Sequence, residues 1–253
     1  MPASRMQEAN RLSQDVWLAG IDGCREGWIA VFVRPEGTDA HVKIFRHFSE
    51  VSAQAPAVIG VDMPIGLPER TGYGGREAEN CVRPLLGARQ SSVFSVPSRR
   101  AVYAQDYARA CGIALSTSDP PRKISKQLFN IAPKIREVDA ALRTDPTLAA
   151  RTFEIHPEVA FWRLNGEQPL SEPKKIKSKP YEPGLALRRG LLIAAGLPRA
   201  IVESTPPKGA AADDLLDALA CAAIARRIHA GLAAPFPKSL PRDAYGLPMA
   251  IWA

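Results

Sequence analysis

The sequence has no uninterrupted apolar run of about 18 residues, so it offers no candidate membrane-spanning helix. Its first fifteen residues, MPASRMQEANRLSQD, lack the apolar core that a secretory signal needs. The four cysteines, Cys24, Cys81, Cys111 and Cys221, stand far apart, with no CxxC pair and no Cys/His cluster. That spacing argues against a structural zinc site and a disulfide framework, and it fits a protein of the reducing cytoplasm. There is no internal repeat and no long low-complexity tract, which argues against a solenoid or a linker-rich array. What is present is ordinary for a globular chain: 253 residues, 46% apolar and 23% charged. That length supports one large domain or two small ones, with a buried core. The expected organisation is a polar extension over 1–15 and a single domain over 16–253.

The formal charge is +7, unevenly spread. Residues 1–65 are net −2, residues 66–200 net +9, and residues 201–253 neutral. A basic middle suits a polyanionic partner such as nucleic acid. It equally suits a solvated basic face with no partner.

Hydrophobic patterning gives the order of elements. Residues 16–22 (VWLAGID), 27–34 (GWIAVFVR) and 40–48 read as three strands, with connections too short for crossover helices, and hence as an antiparallel meander. Residues 57–62 (AVIGVD) form a short apolar strand, the kind covered on both faces. Helices are expected over about 76–86, 101–115 and 125–143, with Pro133 kinking or breaking the last. A fifth strand at 152–155 (TFEI) leads into a short helix ending near Leu164. The Lys- and Pro-rich segment 170–183 reads as mobile, helices follow at about 184–195 and 213–230, and the C-terminal GLPMAIW is a candidate edge strand. The expected fold class is α/β: a five-stranded mixed sheet, a three-strand antiparallel meander plus two parallel strands, flanked by helices. The helices at about 70–150 read as an insertion.

Several acids sit where local structure explains them poorly. Asp22 ends the first expected strand and Asp62 the fourth; side by side and parallel, the two would emerge at one sheet edge, where ligands of α/β sheets collect. Paired carboxylates repel unless a cation lies between them, and Mg²⁺ is suited to that place. Each could instead cap a turn. In DDLLDALACAAIA (213–225), Asp213 reads as the N-cap and Asp214 as a first-turn acid. Asp217 lies beyond the capping positions in a helix apolar nearly all round, and a buried carboxylate needs a partner. Asp214 and Asp217 share a face at i and i+3. That face looks towards a metal or a buried basic side chain. Glu154 reads as a further metal ligand or an arginine's partner, and His156 as a general acid/base, a metal ligand or a structural histidine.

A strand Asp followed by a meander, an acid ending the fourth strand and a DxxD helix together resemble the ribonuclease H-like superfamily. The segment 214–220 is similar to the final helix of its Holliday-junction resolvases. More closely, residues 16 to 230 resemble the domain of unknown function 429 family, described as predicted ribonuclease H-like nucleases. The matching pieces are GIDGCREGW (20–28), VDMPIGLP (61–68), RPLLGARQSSVFSVPSR (83–99), SKQLFNIAPKIREVD (125–139), FEIHPEVAF (153–161) and DDLLDALACAAIARR (213–227). The family's short Ser-Lys-Lys segment leading to a Gly and an Arg is stretched here, with Ser178, Lys179, Gly184 and Arg188 as its best matches. The Ser- and Arg-rich stretch 89–100 reads as a loop. Arg89, Ser92 and Arg99 there could bind phosphate, or Arg99 and Ser92 could tie the helical lobe to the sheet.

The resulting expectation is a metal-dependent nuclease. Asp22, Asp62, Asp214 and Asp217 are expected to hold one or two Mg²⁺ or Mn²⁺, with Asp22, Asp62 and Asp217 as the core ligands and Glu154 as a further catalytic acid, and Arg89, Ser92, Arg99, His156, Lys179 and Arg188 contact a nucleic-acid substrate. The main rival is a non-catalytic nucleic-acid or nucleotide binding module. A phosphotransferase or ATPase is disfavoured, because those proteins duplicate the fold and carry Gly-rich phosphate loops, and neither feature is present here. No membrane partner is expected.

Overall fold

The computed structural model describes residues 16–253; the polar extension expected over 1–15 lies outside them. The chain begins with three strands, β1 (Leu18–Cys24), β2 (Gly27–Val33) and β3 (Ala40–Phe45), and a short helix α1 (Phe48–Ser52). After β4 (Val58–Val61) come α2 (Glu77–Val82), a 3₁₀ helix (Arg83–Ser92), α3 (Arg99–Val102), α4 (Tyr107–Ser116), α5 (Lys126–Thr144) and α6 (Pro146–Ala150). Then follow β5 (Thr152–Glu154), α7 (Pro157–Leu164), a hairpin of β6 (Lys175–Ile176) and β7 (Lys179–Pro180), α8 (Glu182–Ala194), α9 (Arg199–Val202) and α10 (Ala212–His229). The described chain closes with β8 (Pro235–Phe236) and β9 (Ile251–Trp252).

The sheet has seven strands in the order β3-β2-β1-β4-β5-β9-β8, not the expected five. The meander β1–β2–β3 is antiparallel, and β1, β4, β5 and β9 run parallel. The C-terminal strand is present, but β8 pairs antiparallel outside it and takes the edge. Both added strands have only two residues, too few for a periodic signal.

Period-two alternation divides the core. Ala19 and Ile21 of β1, Trp28, Ala30 and Phe32 of β2, and Ile59 and Val61 of β4 pack on one side, against Leu128, Ile135, Val138 and Leu142 of α5. Leu18, Ile29, Val31, Val33 and Val58 pack on the other, against α8 and α10. The helices between β4 and β5 therefore cover a whole face of the sheet. The expected helix at 101–115 is two helices, α3 and α4. The expected kink or break at Pro133 does not end α5, which runs continuously through it. The apolar stripe on both sides of Pro133 anchors the helix to the sheet, and tertiary packing overrides a local breaker.

On the second face α10 lies against β1 and β4 at unusually short range. A Cβ on Gly20 would stand 2.0 Å from Ala222 N and 2.2 Å from Ala218 O. A Cβ on Gly60 would stand 2.2 Å from the Ile155 side chain and 2.9 Å from Cys221 O. Gly20 and Gly60 are register partners. Two glycines side by side thus leave a groove into which the Ala-rich helix settles. It is buried from Leu215 to Ala225, which removes the whole of its middle from water.

Candidate metal centre

The groove decides where the acids meet. Asp22 and Asp62 follow Gly20 and Gly60 by two residues, so period-two alternation aims both at the α10 side. The parallel ladder ends at Ile21↔Val61, and Asp62 N–H donates to Ile21 O at 2.9 Å, which places the two aspartates next to each other. From the helix, Asp217 faces them. One carboxylate oxygen from each of the three lies within 4.8 Å of the others. Oxygens sharing one cation at about 2.0–2.6 Å are separated by up to about 4–5 Å, so the set has the dimensions of a common site.

Asp22 and Asp217 are buried, and Asp62 retains some solvent contact. Burial, then the charges of Asp62 and Asp217, hold the Asp22 carboxyl well above its ordinary range. Burial and Asp217 push Asp62 up to about 8. Burial also raises Asp217, against the pull of a cation. That cation is Lys174, whose ammonium is bonded to Asp217 Oδ2. Burial alone would lower the Lys174 pKa, but Asp217 and Asp22 raise it well above its usual value. Asp217 Oδ1 is buried without a partner. Fully ionised, three carboxylates against one ammonium would leave two negative charges in excess, the charge that one divalent cation carries.

The surrounding acids have partners of their own. Asp214 caps α10: its Oδ2 accepts the Ala211 N–H at 2.8 Å. Asp213 is the buried one, with Lys175 Nζ 2.5 Å from its Oδ2. Asp213 is therefore not the expected N-cap: the cap is Ala211, two residues earlier, and both Asp213 and Asp214 lie in the first turn, as expected for Asp214. Glu154 lies in a buried network. It pairs with Arg76 at 2.6 Å and accepts the Ile65 N–H at 2.7 Å, while Arg76 also holds Glu79 at 2.7 Å. Of the two readings of Glu154, the geometry is that of the arginine's partner.

The expected phosphate contacts divide sharply. Arg99 is 7% exposed, and its guanidinium is bonded to Asp139 and Asp243. Arg188 is wholly buried, pairing with Glu158 at 2.6 Å and donating to the carbonyls of Glu172 and Gly184. Both are internal staples. Lys179 lies on exposed β7. The segment 170–183, expected to be mobile, carries the β6–β7 hairpin, and Lys174 and Lys175 at its start reach the acids. The linear match points to Ser178-Lys179 and passes over these two lysines. The adjacent Lys-Lys of SEPKK carries no local signal of a site, and only the fold brings it beside α10. Arg89 stands at the end of the 3₁₀ helix, where its carbonyl accepts the Ser92 hydroxyl at 2.8 Å. His156 Nε2 lies 3.2 Å from Ser92 O, while Nδ1 is buried without a partner. Burial lowers its pKa.

Residues 20–242 match the family described as Protein of unknown function (DUF429). The chain belongs to that family. No curated protein and no solved structure matches the chain significantly. None of the described helices is long and apolar enough to cross a membrane.

Proposed function

We propose that this member of the DUF429 family is a divalent-metal phosphodiesterase on a ribonuclease H-like fold, acting on nucleic acid. The observation that carries the reading is the convergence of Asp22, Asp62 and Asp217, 40 and 155 residues apart in sequence, which fully ionised would carry two more negative charges than their neighbouring ammonium balances. The strand order β3-β2-β1-β4-β5, with an antiparallel meander and parallel β4 and β5, supports the fold assignment. An all-oxygen donor set with an unpartnered buried oxygen favours Mg²⁺ or Mn²⁺ over thiophilic metals. Asp22, Asp62 and Asp217 would hold it. A bound divalent ion at such a site supplies an activated water and charge for a phosphoryl oxygen. The chain's own groups do the rest. Lys174 keeps Asp217 in place and adds positive charge beside the incoming phosphate. The Arg76–Glu154 pair fixes the turn after β4 through Ile65.

The rival reading is a metal-bound nucleotide or nucleic-acid binding module without turnover. Both readings require the cation. Mn²⁺ titrated into the purified chain should raise its Tm and lose its free-ion paramagnetic resonance signal, and Asp22→Asn should abolish both effects. Hydrolysis of labelled single-stranded, duplex and branched nucleic acids with Mn²⁺ then separates enzyme from binding module. A parent chain indifferent to Mn²⁺ and Mg²⁺ would remove the basis of both.

A further inference from the structure

The acid cluster lines a cavity of about 480 Å³. That volume is typical of a site enclosing one small ligand. It is unlike the extended polar surfaces on which duplexes lie. The lining is mixed in chemistry. Besides the three aspartates with Lys174 and Lys175 it includes an apolar group, Val93, Phe94, Val96, Leu128 and Ile131, contributed by the chain after the 3₁₀ helix and by α5. Phe94 is half-buried and supplies an aromatic face among aliphatic ones.

His156 also lines the cavity. Its Nε2 faces the Ser92 carbonyl, which can only accept, so Nε2 carries the proton and donates. Nδ1 is left as a buried acceptor with no partner. Meanwhile Arg99 and Arg188, two of the side chains expected to follow a phosphate backbone, are locked in internal ion pairs.

We infer that the cavity receives a single nucleotide unit, with its phosphate at the carboxylates and its base against Phe94, supplied either as a free nucleotide or as the terminal nucleotide of a strand. The inference rests on the metal reading above, because the phosphate meets the acids through the cation. Stacking on an aromatic face tolerates any base, so Phe94 recognises a nucleotide without choosing its sequence.

The test uses the full chain with Mn²⁺. Adenosine monophosphate should bind at least tenfold more tightly than inorganic phosphate, and only with the metal present. Phe94→Ala should weaken the nucleotide about tenfold while leaving phosphate and Mn²⁺ binding unchanged; retained Mn²⁺ binding reports that the variant has kept its site, and Phe94→Tyr should restore the affinity. A closed circular duplex should not compete. If a linear 5′-phosphorylated single strand binds more tightly than the monophosphate and its circular form does not bind, the source is a strand terminus. If the free monophosphate binds more tightly, it is a free nucleotide. If Mn²⁺ binds but the monophosphate gains nothing over phosphate, or the circular duplex competes equally, the nucleotide inference fails and the metal reading survives. If Mn²⁺ itself fails to bind, both fall.

Discussion

Asp22→Asn keeps the shape of a side chain whose Oδ1 accepts the Gly23 N–H at 2.6 Å, and removes one charge from a crowded set. In chelator-treated buffer the variant should melt at or above the temperature of the parent, since the relieved repulsion outweighs any lost hydrogen bonding. Divalent metal should then raise the Tm of the parent and hardly move that of the variant, because a ligand stabilises only the state that binds it. A variant several kcal/mol less stable than the parent would mark Asp22 as a structural partner instead. Lys174 makes the opposite case. Lys174→Gln leaves Asp217 without its cation and, in chelator, should lower stability by about 1–3 kcal/mol, reduced by the partial exposure of the lysine. The same change exposes a further uncompensated charge, so the Tm gain on adding Mn²⁺ should be larger than in the parent. Equal gains in the two proteins would show that Lys174 and the metal do not share a field.

At the scale of elements, the site depends on how closely α10 approaches β1. Gly20→Ala would drive a methyl group into the backbone of Ala218 and Ala222, which cannot step aside as a side-chain tip can. Overpacking of this kind costs about 1–3 kcal/mol or more. The helix must also retreat, carrying Asp217 with it. Denaturant unfolding should show the loss of stability, and the Mn²⁺-induced Tm shift should shrink beyond what that loss explains. Unchanged metal binding in a folded Gly20→Ala protein would mean that Asp217 is not held by this contact. The segment leading into the β6–β7 hairpin also positions charge on α10, where it sets Lys174 against Asp217 and Lys175 against Asp213.

For the whole molecule the consequence is an unusual dependence on pH. The Asp62 carboxyl is raised from 3.8 to about 8. Between those values the metal-free folded chain keeps a proton that the unfolded chain has released, so stability falls as pH rises, by at most about 1.4 kcal/mol per unit for each such group, and levels above about 8. Asp22 and Asp217 act in the same direction. The lowered His41 and His156 oppose this only below about 6.5, their ordinary value, which leaves pH 6.5–8 as the clearest window. Melting in chelator should therefore give a falling Tm across that window, with the gain from Mn²⁺ growing as metal competes with fewer protons. A Tm that rises with pH in chelator would contradict a proton-sharing acid cluster.

Much of this was legible in the chain itself. The meander, the parallel fourth and fifth strands and the long helices follow from apolar periodicity. Asp217 stood out because a helix apolar nearly all round rarely buries an acid without a use for it. Local signals also misled for identifiable reasons: Pro133 is overridden by packing on both sides of it, and Arg99 and Arg188 look like phosphate binders because a guanidinium that staples carboxylates is the same group. Which acids lack a local explanation, and which strands carry two of them, is written in the chain. That they meet is a product of packing. The meeting depends on the Gly20–Gly60 register, on the depth of the groove those glycines leave for α10, and on a hairpin that delivers Lys174 to Asp217 from 43 residues away. Those are distances between segments remote in sequence, set by packing, and no periodicity within a single segment encodes them.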